Sequence, residues 1–168
     1  MLNRLDNGTQ VFLRPIRPGD KLALQCGLRQ LSDDSTRARF LAPKDHFSRS
    51  ELAYLTEVDG HDHVAVVAVE AAHPTRIVGV GRFIRDPEEP ESAEAAITVA
   101  DHLQGQGLGR LLGTKIADAA RARGITRFSA SMLSDNEAVL RLFASISDRL
   151  ELSPVDSPVR EIVAQLAA

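Results

Sequence analysis

The sequence is short of cysteine, of long apolar runs and of net charge, and each shortage removes a class of protein. Cys26 is the only cysteine among 168 residues, which excludes an intrachain disulfide and a zinc site built from several thiolates. No stretch approaches the roughly 18 apolar residues of a membrane span, and residues 1–8 lack the apolar stretch of a signal peptide. The formal net charge is only −3. These absences predict a cytoplasmic protein that binds neither membranes nor nucleic acids.

The composition that remains is that of an ordinary globular protein. Hydrophobic residues make up 43% of the chain and charged residues 26%, a balance that supports a packed core. No linker, repeat or low-complexity tract divides the sequence. We therefore expect residues 1–168 to form a single domain that works as a monomer or a homodimer.

Hydrophobic patterning predicts alternating strands and short helices. The predicted strands cover residues 9–14, 63–70, 76–85, 94–99 and 127–133, with weaker ones near 150–152 and 159–163. The predicted helices cover residues 19–31, 48–58 and 136–145, a short segment capped by residues 32–35, and a segment that follows residue 107. Cys26 lies on the apolar side of the first helix, so we expect it to be a buried small hydrophobe.

The most informative segment is Gln104-Gly105-Gln106-Gly107-Leu108-Gly109. Leu108, Leu112 and Ile116 recur at helical spacing, which places these glycines at the start of an amphipathic helix. The first amide N–H groups of a helix have no partner within it, and glycine lets a phosphate oxygen approach without a Cβ in the way. The segment therefore predicts a pyrophosphate site.

Two other nucleotide-binding interpretations of this segment fail. A dinucleotide fingerprint of the form Gly-x-Gly-x-x-Gly would need glycine where the chain has Arg110. A Walker loop needs Gly-Lys-Ser/Thr, whereas residues 113–115 read Gly-Thr-Lys inside the predicted helix. A glycine-rich turn without a ligand is a weaker alternative, because such a turn has no need for three alternating glycines.

Three segments together resemble the GNAT superfamily of acetyl-CoA dependent N-acyltransferases. They are the strand at 93–99, the glycine segment at 104–109, and Ser134-Asp135-Asn136 before the next helix. The resemblance implies a GNAT fold, an α/β (α+β) domain whose mixed, mostly antiparallel sheet has about six to seven strands flanked by helices. Residues 13–20 and 52–59 are also similar to the catalytic domain of bacterial protein lysine acetyltransferases. The resemblance implies acetyl-CoA as cosubstrate, no metal, and a primary amine as acceptor, possibly a protein lysine.

The resemblance also implies which residues hold acetyl-CoA. Backbone N–H groups from Gly105 to Arg110 hold the pyrophosphate, the strand edge at 97–99 pairs with the pantetheine arm, and Asn136 contacts that arm from the other side. Asn136 equally suits the role of a helix N-cap. The implied cofactor-binding residues are Ile97, Thr98, Val99, Gln104, Gly105, Gln106, Gly107, Leu108, Gly109, Arg110, Asn136 and Phe143.

Amine acetylation calls for a base, and Glu94 is the candidate. An amine attacks a thioester only when neutral, and a lysine-like amine of pKa about 10.4 is neutral in about one molecule in 2,500 at pH 7, a cost of about 4.6 kcal/mol. Glu94 lies ten residues before Gln104, where many GNAT enzymes carry a catalytic glutamate. The alternative is a solvent-facing carboxylate at a strand end beside an acidic loop.

The sequence departs from the family at the leaving-group side. Many members carry a Tyr near the thioester sulfur in the helix after the Asn, but residues 136–147 contain Phe143 and no Tyr, while Tyr54 lies far upstream. The usual Gly-Phe after that helix is also absent. A thiolate with pKa near 8.5 leaves readily at neutral pH, so solvent is able to protonate it.

The acceptor side leaves three hypotheses open. Asp86, Glu88, Glu89 and Glu91 cluster before Glu94, and they either draw a cationic acceptor toward it or form an ordinary solvated loop. The alternatives to a protein lysine are a small amine, a polyamine or an aminoglycoside. A different alternative is a non-catalytic acyl-CoA-binding sensor or scaffold, consistent with the missing Tyr.

Overall fold

The computed structural model describes residues 2–167, and its centre is an eight-stranded sheet. The strands are β1 Leu2–Arg4, β2 Gln10–Pro15, β3 His63–Glu70, β4 Ile77–Arg85, β5 Ser92–Val99, β6 Arg127–Leu133, β7 Ser147–Leu152 and β8 Val159–Leu166. The helices are α1 Lys21–Arg29, α2 Asp33–Phe40, α3 Arg49–Thr56, α4 Leu108–Arg121 and α5 Glu137–Ala144. The strand order is β1-β2-β3-β4-β5-β6-β8-β7, and every neighbouring pair is antiparallel except β5 and β6.

This architecture confirms the predicted mixed, mostly antiparallel sheet flanked by helices. The difference is the strand count, because β1 adds a strand to the expected six or seven. β1 has three residues and pairs Leu2 with Phe12, and so short a segment shows no alternation that a pattern reading could detect.

Strand β3 is buried on both faces and separates two apolar layers. Val64, Val66 and Ala68 belong to the core shared with α4 and α5, whereas Ala65 and Val67 belong to a second cluster with residues of α1 and α3. On β4 and β5 the same alternation decides which face of the sheet each functional side chain occupies.

The first turn of each of two helices is closed by a serine. Ser32 accepts a hydrogen bond from Ser35 N at 3.2 Å, and Ser48 forms a reciprocal capping box with Glu51. The prediction for Cys26 was wrong, because its side chain is exposed. Leu24 and Leu28 set the buried face of α1, and Cys26 lies two residues from each, on the opposite side of the helix.

Candidate active site

The glycine segment forms an exposed turn that leads into α4. Gly105 and Gly107 have φ of +71° and +86°, a left-handed conformation that side chains disfavour, and Gly107 is the N-cap of α4. Leu108 is fully buried and anchors the turn, so only its backbone faces the loop. Among residues 2–167, no acceptor pairs with the peptide N–H groups of residues 105–110, and the first bonded amide is that of Leu111. These donors lie at the end of α4 where the helix dipole is positive, which suits an anion.

The hairpin between β1 and β2 lies against this loop. Asp6 N donates to Gln106 O at 3.2 Å, and the Asp6 carboxylate lies beside Gly107. A Cβ at Gly107 would lie 3.6 Å from Asp6 Oδ2. Asp6 therefore lies within contact distance of this side of the loop, and its carboxylate disfavours an anion there.

The sheet opens beside the loop, along β5. The parallel ladder of β5 and β6 covers only three residue pairs and ends at Glu94 and Ser129. Because Ala100 N donates to Val78 O, the even-numbered residues of β5 bond to β4, and the peptide groups of Ile97 and Val99 point away from it. Past Glu94, those groups face the opening instead of a strand partner.

The side chains of this strand divide between the two faces. Ile97 and Val99 pack on the α4 side of the sheet, where they approach Gly113 and Gly109, and Thr98 faces the α1 to α3 side. Gln104 Nε2 lies 3.2 Å from Val99 O, 3.0 Å from Ser35 Oγ and 3.2 Å from Asp101 Oδ1. The Gln104 side chain thus holds the loop to the strand, and Arg110 beyond it is exposed.

The two predicted residues from α5 occupy different environments. Asn136 is the N-cap of that helix, since its Oδ1 accepts from Val139 N at 3.2 Å. Its amide nitrogen has no partner among the residues that the structure describes. Phe143 is only 3% exposed and belongs to the core, so it supports the opening from behind and offers almost no surface to a ligand.

Glu94 is exposed on the α1 to α3 face of β5, at the point where the ladder with β6 ends. Ala96 and Thr98 follow it along the same face and line a cavity of about 60 Å³. The remaining walls come from β4 and from mainly apolar side chains of α1, of α2 and the segment after it, and of α3. The candidate base and this cavity lie on one face of the sheet, and α4 with its glycine loop covers the other.

Two arginines that sequence reasoning missed line the same cavity. Arg82 on β4 is 5% exposed, donates from Nη1 to Leu55 O at 3.3 Å, and lies 3.1 Å from His63 Nε2. Burial and the nearby charge of Arg39 lower the pKa of Arg82 to about 10. Burial also lowers the pKa of Arg39, against the opposing effect of the Glu94 carboxylate. The available signal was an arginine inside the apolar run of β4, a position that normally faces the core.

His63 and Tyr54 complete the far side of this cluster. Their rings lie 5.0 Å apart, and burial together with the charge of Arg82 lowers the pKa of His63. Tyr54 is therefore on the Glu94 face of the sheet, on α3 instead of α5. Its ring partner is His63 on β3.

A carboxylate connects the glycine segment to α2. Asp101 accepts from Ser32 N at 2.8 Å and from Ser35 Oγ at 2.5 Å, and it also contacts Gln104. Burial pushes the pKa of Asp101 upward, but the hydrogen bonds from Ser35 and Ser32 together hold it below the ordinary value. This Asp101 bridge joins the helix that carries Arg39 to the loop that suits the pyrophosphate.

The acidic loop before β5 is partly engaged by its own neighbours. Glu89 pairs with Arg127 at 2.6 Å, and Asp86 accepts from the backbone N–H groups of Glu88 and Glu89. Among the described residues there is no cluster of three or more potential metal ligands. None of the helices within residues 2–167 has the length and apolarity needed to cross a membrane.

Comparisons with known proteins agree with this geometry. A family model described as "Acetyltransferase (GNAT) family" matches residues 28–146. The chain is 35% identical over 143 residues to "Acetyltransferase Pat" of Mycolicibacterium smegmatis, which covers 85% of this chain and 41% of that protein. It is 30% identical over 154 residues to "Acetyltransferase PA5475" of Pseudomonas aeruginosa, covering 91% of this chain and 82% of that protein. This chain therefore spans less than half of the first relative and most of the second.

A solved structure gives the same result for the fold. The GNAT domain of S. lividans PAT superimposes with a TM-score of 0.86 at 27% identity, covering 99% of this chain and 96% of that one.

Proposed function

The chain belongs to the acetyltransferase (GNAT) family, and from that premise we propose that it transfers an acetyl group from acetyl-CoA to a lysine side chain of a protein. The N-acetyltransferase class follows from family membership, and members of this family use acetyl-CoA. The protein lysine as acceptor, and the residue roles below, are our proposal.

The observation that carries the proposal is the point where β5 and β6 part. The ladder ends at Glu94, so the edge at Ile97 and Val99 has no strand partner, and it lies between the glycine loop and the candidate base. On this edge Val99 O accepts from the Gln104 side chain. The residues fit acetyl-CoA, because the free amides of residues 105–110 suit a pyrophosphate and the strand edge suits the amides of a pantetheine arm. Acetyl-CoA supplies the acetyl thioester. In this proposal Asn136 bonds the arm through its amide nitrogen, while its oxygen caps α5.

The chain's own groups then act on the acceptor. Glu94 takes one proton from the acceptor ammonium, and the freed electron pair forms the bond from nitrogen to the acetyl carbon. The nitrogen releases its second proton to solvent as the amide forms. Backbone N–H groups of the strand edge donate to the carbonyl oxygen as the carbon–sulfur bond breaks. The departing thiolate takes its proton from solvent, since residues 136–147 contain no tyrosine to supply it. Most of the rate comes from holding the amine and the carbonyl in line.

A Glu94→Gln variant tests the role of the base. We expect acetyl-CoA affinity to stay unchanged and kcat to fall by about 10²–10⁴-fold, the usual contribution of a general base. Glu151→Gln on β7 is the matched control, because it makes the same chemical change at an exposed position away from β5. Equal kcat in the Glu94 variant and wild type would remove Glu94 from the mechanism.

A panel of acceptors tests the reaction itself. Acetyl-CoA dependent thiol release is measured with lysine-containing proteins, polyamines and aminoglycosides at several pH values. Release with proteins alone supports the lysine proposal, and release with small amines alone replaces it. Tight acetyl-CoA binding without release from any acceptor would instead favour a sensor or scaffold, which the absence of a tyrosine in α5 makes worth testing.

A further inference from the structure

The cavity beside Glu94 contains two positive charges and no carboxylate in direct contact with either. Within residues 2–167, neither Arg39 nor Arg82 has an acidic side chain within ion-pair distance, although many surface arginines do. Of the Arg82 guanidinium, Nη1 contacts Leu55 O and His63, and the structure gives Nη2 and Nε no hydrogen-bond partner. Most of its planar fork is thus left for another group.

Both charges lie in largely apolar surroundings: Arg82 is 5% exposed, and Arg39 is half-buried with its guanidinium 4.9 Å from the centroid of the Phe40 ring. Leu24, Leu28, Phe40 and Phe47 are among the apolar side chains that share the cavity wall with the two arginines. Buried charges in proteins are generally paired, because removing an ion from water is energetically unfavourable. Arginine binds carboxylates through two parallel hydrogen bonds, a geometry that lysine does not offer.

The register of the sheet places this pair next to the candidate base. Arg82 is directly opposite Ala96, and Ile84 is opposite Glu94, so Arg82 and Glu94 are diagonal neighbours on one face. Such neighbours are about 7–8 Å apart. A molecule that contacts both residues therefore needs an amine and an anionic group separated by a short spacer.

We propose that Arg39 and Arg82 bind a carboxylate of the acceptor, so that the enzyme prefers amines that have an acidic group close by. This inference rests on the proposed acetyltransferase function and names its substrate class. The free volume of about 60 Å³ holds about four to six water-sized groups, which matches a carboxylate with one or two methylenes. The two sources of that chemistry are an acidic side chain next to the reacting lysine and the carboxylate of a free amino acid.

Matched acceptors test the preference. The first pair is a lysine peptide with Glu beside the lysine and the same peptide with Gln, both blocked at their ends. The second pair is leucine and isoamylamine, which differ by the carboxylate. We expect kcat/KM to be at least about tenfold higher for the acidic member of one pair, as charged hydrogen bonds allow. The pair that responds identifies the source.

Variants assign the preference to the two arginines. Arg82→Met and Arg39→Met should each bring the ratio of kcat/KM between the acidic and the neutral acceptor close to one. Arg82→Lys should retain part of the preference that Arg82→Met loses. Two separate variants, on β4 and α2, guard against loss of folding in either one. Arg76→Met is the control, since Arg76 is an exposed arginine before β4 that contacts Glu70 and not the cavity. It should keep the wild-type ratio.

The outcomes separate this inference from the proposed function. Acetylation of acidic and neutral acceptors at equal kcat/KM would overturn the carboxylate site and leave the acetyltransferase function standing. A preference that survives in both methionine variants would also overturn it. No acetylation of any acceptor, with Glu94→Gln indistinguishable from wild type, would overturn both.

Discussion

Close packing between α4 and β4 fixes the position of the glycine loop, and Gly79→Ala tests it. An added Cβ at Gly79 would lie 2.8 Å from Leu112 Cδ1, 3.3 Å from Leu108 Cδ2 and 3.4 Å from Thr98 O. Both leucines are fully buried, so their methyl groups have little room to move. Either the helix shifts away from the sheet, or its leucines leave their preferred rotamers.

The expected cost follows from two opposing effects. Overpacking of a buried site costs about 1–3 kcal/mol, and replacing glycine by alanine recovers about 0.4–1 kcal/mol by restricting the unfolded chain. We therefore expect Gly79→Ala to lower the free energy of unfolding by about 1–2 kcal/mol. Gly81→Ala should cost less, because its nearest neighbour is Ile116 Cγ2 at 3.2 Å. Gly19→Ala, whose Cβ meets nothing within 4 Å, is the control.

Urea unfolding followed by circular dichroism measures these differences. The urea concentration at the unfolding midpoint should be highest for Gly19→Ala, lower for Gly81→Ala and lowest for Gly79→Ala. The dependence of the unfolding free energy on urea concentration should not change. Calorimetric titration should also show weaker acetyl-CoA binding for Gly79→Ala, since α4 begins at the loop. A Gly79→Ala variant as stable as Gly19→Ala, with normal acetyl-CoA binding, would mean that contact between α4 and β4 does not fix the position of the loop.

Three other predictions concern the loop, the Asp101 bridge and pH. Gly107→Glu should abolish acetyl-CoA binding in titration calorimetry, because the side chain brings a negative charge to a strained position at the anion site; intact binding would place the pyrophosphate elsewhere. Asp101→Asn should weaken the hydrogen bonds that hold α2 to the glycine segment, and we expect KM for the acceptor to rise by about fivefold, which equals about 1 kcal/mol. An unchanged KM would show that these hydrogen bonds are not needed to position α2. Hydrogen bonds from Arg14 lower the pKa of Asp20 in the folded protein. This pair therefore stabilises the fold fully at pH values above the unfolded pKa of about 3.9, and the stabilisation is lost as the pH falls through the lower pKa of the folded state. Arg14→Met should therefore lower the free energy of unfolding by about 1–2 kcal/mol at pH 7, in a difference that narrows below about pH 4, and a gap constant down to pH 2 would contradict this assignment.

The parts of the candidate site that could be predicted from the sequence are those formed by one continuous segment of the chain. The glycine turn, the strand containing Glu94 and the cap at Asn136 each lie within one short segment, where local spacing determines the structure. Arg39 and Arg82 escaped prediction because they are 43 positions apart and meet only through the packing of α2 on the sheet. The sequence also could not decide between an N-cap and a contact to the pantetheine arm for Asn136. An amide is able to do both, because its oxygen accepts the capping hydrogen bond while its nitrogen remains free to donate to a ligand. The resemblance assigned Phe143 to the cofactor-binding residues, but its exposure depends on how deeply α5 packs into the core, which the sequence does not show.

The Asp101 bridge has a thermodynamic consequence. It ties the N-terminus of α2, a helix that lines the proposed acceptor pocket, to the segment that would receive the nucleotide end of acetyl-CoA. If binding of either ligand orders this junction, the other ligand then binds with a smaller loss of conformational entropy. Coupling between two binding equilibria is reciprocal, so any factor by which acetyl-CoA tightens acceptor binding must equal the factor by which the acceptor tightens acetyl-CoA binding. Cooperative assembly of the ternary complex is then a property of three side chains, and it needs no movement of one domain against another.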